Sequence, residues 1–181
     1  QRLEDAIQKN TRVIVINFPH NPTGSTMTCE QQKQLVEIAR SKGIWIFSDE
    51  VYRFLELEDS DRLPSVASVY EKGLSLGVMS KSFGLPGLRI GWIACQNDQM
   101  LHQTSDMKHY LSICNSGPSE VLALIALRNQ EQILSRNLSI MRKNIVLLDA
   151  FFEEYRQLFE WVRPKGGCIG FPKLKTTISA R

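Results

Sequence analysis

Three polar side chains of different chemistry each follow a predicted strand. Asn21, Asp49 and Lys81 come in that order, each after a short apolar run. The carboxyl ends of parallel strands meet at one edge of an α/β sheet, and ligands bind there. A neutral lysine amine is a nucleophile, and a carboxylate at a strand end can keep the ring nitrogen of a cofactor protonated. We therefore predict a site where one amide, one carboxylate and one amine face a common crevice.

The first two strands belong to one strand-helix-strand unit. Residues 13–16 and 44–47 are continuous apolar runs, which are typical of strands buried on both faces of a parallel sheet. Between them, Thr28 begins a capping box and Gly43 follows a basic last turn, so a helix is predicted over about 28–42. A right-handed crossover should make the two strands parallel.

The rest of the chain continues with strand and helix signals. Residues 74–79 and 89–95 are further strand candidates. Helical patterns begin at Ser116 and extend over a long periodic stretch, 131–159. The stretch 161–174 is rich in glycine and proline and has strand-and-turn composition. The predicted fold class is α/β, with a mainly parallel sheet and flanking helices.

The change of composition after the long helical pattern predicts two domains. Residues 1–136 would form part of a large ligand-binding domain. Residues 137–181 would form a connecting helix and the start of a small C-terminal α/β domain. The predicted site lies entirely in the first of these two parts.

The composition excludes several function classes. Of the 181 residues, 43% are hydrophobic and 23% charged, and the formal net charge is +3 without a basic run. These values are typical of a globular protein and do not indicate a nucleic-acid surface. The longest apolar stretch, 121–127, is far shorter than a membrane span, and the cysteines and histidines lack disulfide or metal-ligand spacing. We expect a cytoplasmic protein without a metal, membrane or nucleic-acid partner.

Three motifs surround the three polar residues. Residues 21–24 read Asn-Pro-Thr-Gly, residues 48–52 read Ser-Asp-Glu-Val-Tyr, and residues 80–92 begin Ser-Lys-Ser-Phe-Gly and end Arg-Ile-Gly-Trp. Each motif alone is an ordinary turn or surface sequence. Their order and spacing, however, resemble the class I/II aminotransferases of the fold-type I pyridoxal-phosphate enzymes. The Pro-Lys-Gly-Gly sequence of residues 164–167 also resembles the family's first small-domain strand region, so the resemblance covers nearly the whole chain.

The resemblance implies a role for each polar residue around a pyridoxal 5'-phosphate cofactor. Lys81 would hold the cofactor as a Schiff base and then serve as the catalytic base. Asp49 would pair with the pyridinium nitrogen, and Asn21 and Tyr52 would hydrogen-bond the phenolic oxygen. The catalytic residues that the resemblance implies are Lys81, Asp49 and Tyr52.

The resemblance also implies that Arg89 binds the cofactor phosphate, with Ser80 as a second candidate. A guanidinium suits this task because it can make a bidentate contact with phosphate. Many family members carry a hydroxyl residue three positions before the lysine, and here that position is Val78. Solvated or turn roles are assigned to three neighbours of the motif residues: His20, Glu50 and Ser82.

The implied activity is transfer of an amino group between an amino acid and a 2-oxo acid. The family's N-terminal half brings further strands, a glycine-containing phosphate loop and an aromatic residue that stacks on the cofactor, and this chain starts after them. No residue here matches the arginine that grips the substrate α-carboxylate. We therefore expect an incomplete enzyme that is inactive alone and whose complete form is a homodimer.

Two alternatives remain open. The same cofactor residues serve other fold-type I enzymes, such as β-lyases, decarboxylases and acyl transferases, because the reaction depends on which Cα bond stands perpendicular to the cofactor ring. Aminotransferase-like domains also serve as non-catalytic effector-binding modules fused to DNA-binding domains. A helix-turn-helix domain upstream in the complete protein would favour the second alternative, since a shared fold does not establish a shared function.

Overall fold

A computed structural model describes residues 2–175 and contains one four-stranded sheet in the order β1-β2-β3-β4. The strands are β1 Val13–Asn17, β2 Trp45–Asp49, β3 Gly73–Val78 and β4 Gly91–Ala94. β1, β2 and β3 are parallel, whereas β4 runs antiparallel to β3. The predicted mainly parallel sheet is confirmed, with one reversed strand at its edge.

Helices flank this sheet and lead to a second, two-stranded sheet. The α-helices are α1 Arg2–Ala6, α2 Cys29–Lys42, α3 Val66–Val69, α4 Asp98–Ser112, α5 Gly117–Arg128 and α6 Gln130–Glu154. The small sheet pairs two short antiparallel strands, β5 Phe159–Glu160 and β6 Lys173–Leu174. This combination of a mainly parallel sheet with flanking helices confirms the predicted α/β fold class.

The helix α2 begins and ends where the sequence predicts. Thr28 Oγ1 accepts a hydrogen bond from the Gln31 main-chain N at 3.2 Å, and the Thr28 main-chain N donates to Gln31 Oε1 at 2.8 Å. Gly43 adopts the left-handed conformation with φ of 66°, which a residue with a Cβ adopts only at a cost. The capping box and the glycine therefore fix the length of the crossover that places β2 beside β1.

The main core lies on one face of the sheet. Ile14 of β1 and Ile46 of β2 are buried in one cluster with Ala39 of α2 and with Tyr70. The Tyr70 hydroxyl donates to the main-chain O of Ile44 at 2.7 Å, so this buried polar group is hydrogen-bonded. Apolar packing between α2 and the sheet thus holds β1 and β2 in place.

Strand β1 is not buried on both faces, and that prediction is wrong. Val13 and Val15 are 46% and 67% exposed, whereas Ile14 between them is buried. The strand stands first in the order of the sheet, and its second face is open to solvent within residues 2–175. An apolar run alone does not distinguish a strand covered on both faces from one covered on a single face.

Strand β4 and helix α4 also differ from the sequence-based expectations. The strand candidate 89–95 forms a shorter strand, and it is antiparallel. Helix α4 was not predicted, although Met100, Met107 and Leu111 recur at helical spacing; none of its residues is buried within the described chain. The signal that could have indicated its start is Asn97, whose side chain accepts a hydrogen bond from the Met100 main-chain N at 2.8 Å.

The helix α6 runs without interruption over 25 residues and leads to the small sheet. Near its end, Phe152 stacks on Trp161 with ring centroids 4.4 Å apart, and Trp161 Nε1 donates to Asp149 Oδ1 at 2.8 Å. The predicted domain boundary between residues 136 and 137 lies inside α6, and the division into two domains stays a prediction. Neither α6 nor any other helix within residues 2–175 has the combination of length and apolar character needed to cross a membrane.

Candidate functional site

The carboxyl ends of β1 and β2 are joined by the side chain of Asn17. Asn17 is paired with Asp49 in the parallel register, and its Nδ2 donates to the Asp49 main-chain O at 3.0 Å. Its Oδ1 accepts a hydrogen bond from the Asn21 main-chain N at 2.8 Å. One half-buried amide therefore fixes the Asn21 loop relative to Asp49. Asn17 was not among the predicted site residues, and its signal in the sequence is an amide at the end of an apolar strand.

The Asn-Pro-Thr-Gly turn is closed by its own hydrogen bonds. The Gly24 main-chain N donates to the His20 O at 2.7 Å, and His20 Nδ1 lies 2.7 Å from Thr23 Oγ1. Gly24 has φ of +66°, and a Cβ built on it would lie 2.2 Å from the Pro164 Cβ. Glycine is therefore required both by the backbone conformation and by the close approach of Pro164. His20 has the turn role that the sequence predicts.

Tyr52 is buried between residues of two other loops. Asn21 Nδ2 donates to its hydroxyl at 3.5 Å, the long end of hydrogen bonding. A Cβ on Gly167 would lie 3.6 Å from the Tyr52 ring, so the Gly167 backbone packs against this ring. Lys81 Nζ lies 5.8 Å from the ring centroid, within the range of attraction between an ammonium and an aromatic face. Three predicted site residues, Asn21, Tyr52 and Lys81, therefore form one cluster.

A tight turn presents Lys81 after the end of β3. The Gly84 main-chain N donates to the Lys81 O at 3.0 Å, and the Leu85 main-chain N donates to the Met79 O at 3.0 Å. Met79 is completely buried, whereas Lys81 is exposed. The backbone of this turn is therefore held by the core while the amine remains accessible to a ligand.

Ser82 ties this turn to the loop that carries Tyr52. Its hydroxyl lies at hydrogen-bonding distance from the main-chain O atoms of Val51, at 3.1 Å, and of Arg53. The hydroxyl has a single proton, so these two acceptors share it. Ser82 has the turn role that the sequence predicts, but its side chain is buried rather than solvated. The contact was missed because its acceptors are main-chain atoms, which leave no residue-type pattern.

The adjacent carboxylates Asp49 and Glu50 have different surroundings. Asp49 Oδ1 accepts a hydrogen bond from the Val51 main-chain N at 3.2 Å, and within residues 2–175 this is the only hydrogen bond to the Asp49 carboxylate. Glu50 Oε1 accepts hydrogen bonds from the Val66 main-chain N at 2.9 Å and from Ser75 Oγ at 2.8 Å. Asp49 thus retains capacity to accept a donor from a ligand, while Glu50 holds the start of α3 to β3.

Arg89 and Ser80 lie on the loop between β3 and β4. Arg89 is exposed, has φ of 55° and donates from Nη1 to the Pro86 main-chain O at 3.2 Å. Ser80 is half-buried. The structure places both residues on the loop that carries Lys81, and no described contact joins them to Tyr52.

The Pro-Lys-Gly-Gly segment of residues 164–167 docks on the Asn-Pro-Thr-Gly turn. The main-chain N atoms of Lys165 and Gly166 both donate to the Gly24 O, at 2.8 and 3.0 Å. Lys165 Nζ also forms an ion pair with Asp61 Oδ1 at 3.3 Å. This segment is therefore part of the wall of the site.

Known proteins are similar to this chain in sequence and in fold. Residues 1–177 match the family described as aminotransferase class I and II. A PLP-dependent aminotransferase from Streptococcus suis superposes with a TM-score of 0.91 and 36% identity, covering 98% of this chain and 46% of that protein. An aspartate aminotransferase from Pyrococcus horikoshii is 33% identical over 129 residues, 71% of this chain and 33% of its own length. Capreomycidine synthase from Streptomyces vinaceus is 26% identical over 94% of this chain and 43% of its own length.

The fold is that of the fold-type I pyridoxal-phosphate-dependent transferases. The chain belongs to the aminotransferase class I and II family. It spans less than half the length of each of the three similar proteins.

Proposed function

We propose that the complete protein is a pyridoxal-phosphate-dependent aminotransferase that transfers an amino group between an amino acid and a 2-oxo acid. The observation that carries this proposal is the position of Lys81 Nζ, 5.8 Å from the ring centroid of Tyr52, whose hydroxyl contacts Asn21 Nδ2. This cluster provides an amine for the aldehyde of the cofactor beside two hydrogen-bonding groups for its phenolic oxygen.

The surroundings of Asp49 fit the same cofactor. Its carboxylate accepts one hydrogen bond, from the Val51 main-chain N, within the described part of the chain. A remaining oxygen is available to hold the proton on the ring nitrogen, since a nearby negative charge favours the protonated form of a base. When bound, the cofactor supplies an electron sink for the bond that breaks at the substrate Cα.

Lys81 has two tasks in this proposal. Its amine would hold the cofactor through the aldehyde carbon, with release of water, until the amine of an amino acid replaces it. The released Nζ then takes the proton from the substrate Cα as a general base. The exposure of Lys81 and the hydrogen bonds of Gly84 and Leu85 within its turn support both tasks, because they leave the amine accessible on a fixed backbone.

Arg89 and Ser80 are proposed to hold the cofactor phosphate. A guanidinium has five donors, and the described contacts of Arg89 use one nitrogen for the Pro86 main-chain O. Its remaining donors suit the oxygens of a phosphate. The shared loop with Lys81 supports this assignment, since one ligand can then reach both residues.

The complete protein is also proposed to be a cytoplasmic homodimer. Apolar side chains on α4 support an interface, because Tyr110 is 92% and Leu111 75% exposed. Size-exclusion chromatography with light scattering tests the dimer, and cell fractionation tests the location.

Borohydride reduction of the complete protein loaded with pyridoxal phosphate tests the central assignment. Peptide mapping should find the reduced cofactor on Lys81, and Lys81→Ala should lower kcat by about 10²–10⁴-fold, the contribution of a positioned general base. Lys72→Ala is the control, because Lys72 is half-buried and its Nζ donates to the Gly43 main-chain O. Cofactor on another lysine, or turnover retained by Lys81→Ala, would contradict the proposal.

A different reaction at the same site is a second candidate function. The likeness to a protein named capreomycidine synthase favours it, since that likeness covers 94% of this chain. The two functions are separated by incubating the complete protein with an amino acid and a 2-oxo acid. Stoichiometric exchange of the amino group supports the aminotransferase, whereas a product formed without consumption of the 2-oxo acid supports the second candidate.

A further inference from the structure

One side chain of helix α6 hydrogen-bonds the turn that carries Lys81. Asn137 Nδ2 donates to the Ser82 main-chain O at 2.8 Å. A Cβ built on Gly84 would lie 3.5 Å from the same nitrogen, so the amide sits against the turn. Asn137 is half-buried. The residue therefore binds the backbone directly after Lys81.

Ser82 is consequently the meeting point of three segments. Its hydroxyl contacts the main-chain O atoms on either side of Tyr52, and its own main-chain O accepts the amide of Asn137. The far end of α6 is itself anchored, since Phe152 stacks on Trp161 at 4.4 Å. A displacement of α6 would therefore reach the Lys81 turn through this hydrogen bond, beside the apolar packing of Ile133 on the cluster of Met79 and Phe83.

We propose that Asn137 is a positioning residue that sets the location of Lys81 Nζ during proton transfer. This inference rests on the proposed function of Lys81. The physical reason is that the Ser82 carbonyl lies one residue after the amine-bearing Cα, so loss of its donor removes one of the contacts that fix the position of the turn. A misplacement of about 1 Å in a catalytic group can lower a rate on the order of 10²-fold.

The test is Asn137→Asp in the complete protein loaded with pyridoxal phosphate. Aspartate keeps the shape of asparagine but replaces the donor nitrogen with an oxygen that repels the Ser82 carbonyl. We expect borohydride still to attach the cofactor to Lys81, kcat to fall about tenfold, which corresponds to about 1.4 kcal/mol, and KM to stay within about twofold. The pH profile of kcat should shift as well, which a loss of folded protein alone would not cause.

The matched control is Asn144→Asp. Asn144 lies on the same helix, about two turns further along, and is exposed. The chemical change is the same, so a general effect of an added carboxylate on α6 is controlled, and Asn137→Ala separates the local charge from the loss of the donor. We expect kcat, KM and the pH profile of this variant to equal those of the parent.

Each outcome decides the inference. Unchanged kcat and pH profile in Asn137→Asp, with the cofactor still trapped on Lys81, would overturn the positioning role and leave the proposed function intact. Failure to trap the cofactor on Lys81 in the parent protein would overturn the proposed function and this inference with it. Asn137→Ala removes the donor without adding charge, so it gives the same decision if the aspartate variant does not fold.

Discussion

The main-chain oxygen of Asp49 accepts the side-chain amide of Asn17 at 3.0 Å, so the strand pairing of β1 with β2 and the position of Asp49 depend on the same residue. The same oxygen also accepts the Phe18 main-chain N at 3.3 Å. Asp49 is therefore placed mainly by contacts to its backbone, and its carboxylate, which accepts one hydrogen bond from the Val51 main-chain N, retains capacity for a ligand.

Asn17→Ala should loosen the site and lower the stability of the fold. The substitution removes a half-buried amide and its two hydrogen bonds, to the Asp49 main-chain O and from the Asn21 main-chain N. Their loss lowers the free energy of unfolding by about 1–3 kcal/mol. Urea denaturation measures the loss, and the affinity of the complete protein for pyridoxal phosphate should fall with it. Asn10→Ala, at an exposed position, is the control. Equal stability of the two variants would contradict this account.

Asp49→Asn should separate cofactor attachment from turnover. The amide keeps the shape of the side chain but no longer holds a positive ring nitrogen. We expect borohydride to trap the cofactor on Lys81 as before, while kcat falls on the order of 10²-fold or more. Asp106→Asn, at an exposed position on α4, should leave kcat unchanged. A normal kcat for Asp49→Asn would indicate a structural carboxylate instead.

Gly24→Ala should be strongly destabilising. An alanine at φ of +66° costs about 1–2 kcal/mol. Its Cβ would also lie 2.2 Å from the Pro164 Cβ, so the turn and the 164–167 segment must move apart. Gly117→Ala is the control, because a Cβ there meets no atom within 4 Å. Urea denaturation compares the two variants, and a similar small effect in both would show that Pro164 does not pack as described.

The ion pair between Arg40 and Glu71 should give a pH dependence of known sign. The hydrogen bond from Arg40 lowers the pKa of Glu71 from its ordinary value of 4.5. The pair therefore stabilises the fold above pH 4.5, and this contribution is lost as the pH falls through the lowered pKa. Glu71→Gln should be slightly less stable than the parent at neutral pH, and the difference should vanish in acid. Urea denaturation at neutral and at acidic pH measures the difference in stability between the two proteins. A difference that grows in acid would contradict a stabilising ion pair between Arg40 and Glu71.

Residues 1–181 alone should associate. Val15 is 67% exposed on the open face of β1, and exposed apolar strands at a sheet edge favour association. Light scattering should detect oligomers, and Val15→Lys should reduce their amount. Gln8→Lys is the control, because Gln8 is exposed on the loop after α1, and it should leave the oligomers unchanged. A monodisperse preparation of residues 1–181 would contradict this prediction.

The parts of the fold that carry their own local signals could be predicted from the sequence. Thr28 and Gly43 mark the two ends of α2, and the apolar runs locate β1, β2 and β3. The exposure of Val15 could not be predicted, because it depends on which elements lie beside β1. The exposure of Met107 and Leu111 on α4 could not be predicted either, because apolar spacing does not show which surface covers a helix.

The candidate site divides in the same way. Lys81 and Asp49 could be named because each follows a strand within a recognisable motif. The residues that hold the site could not, because Asn17 and Ser82 act on main-chain atoms of distant residues. Asn137 is 55 positions away from its acceptor, and a main-chain acceptor imposes no residue type on the sequence.

The antiparallel course of β4 turns the connection from β3 into a closed loop. The Met79 main-chain N donates to the Ile90 O at 3.0 Å, so the two ends of the loop are clamped together. Lys81 and Arg89 both lie inside this loop, near its opposite ends. The contour length of the loop therefore limits how far apart the amine and the guanidinium can reach. Insertions or deletions between Lys81 and Arg89 would change the distance between the amine and the guanidinium without changing the register of any strand. Loop length is therefore a parameter that can be varied separately when the site is redesigned.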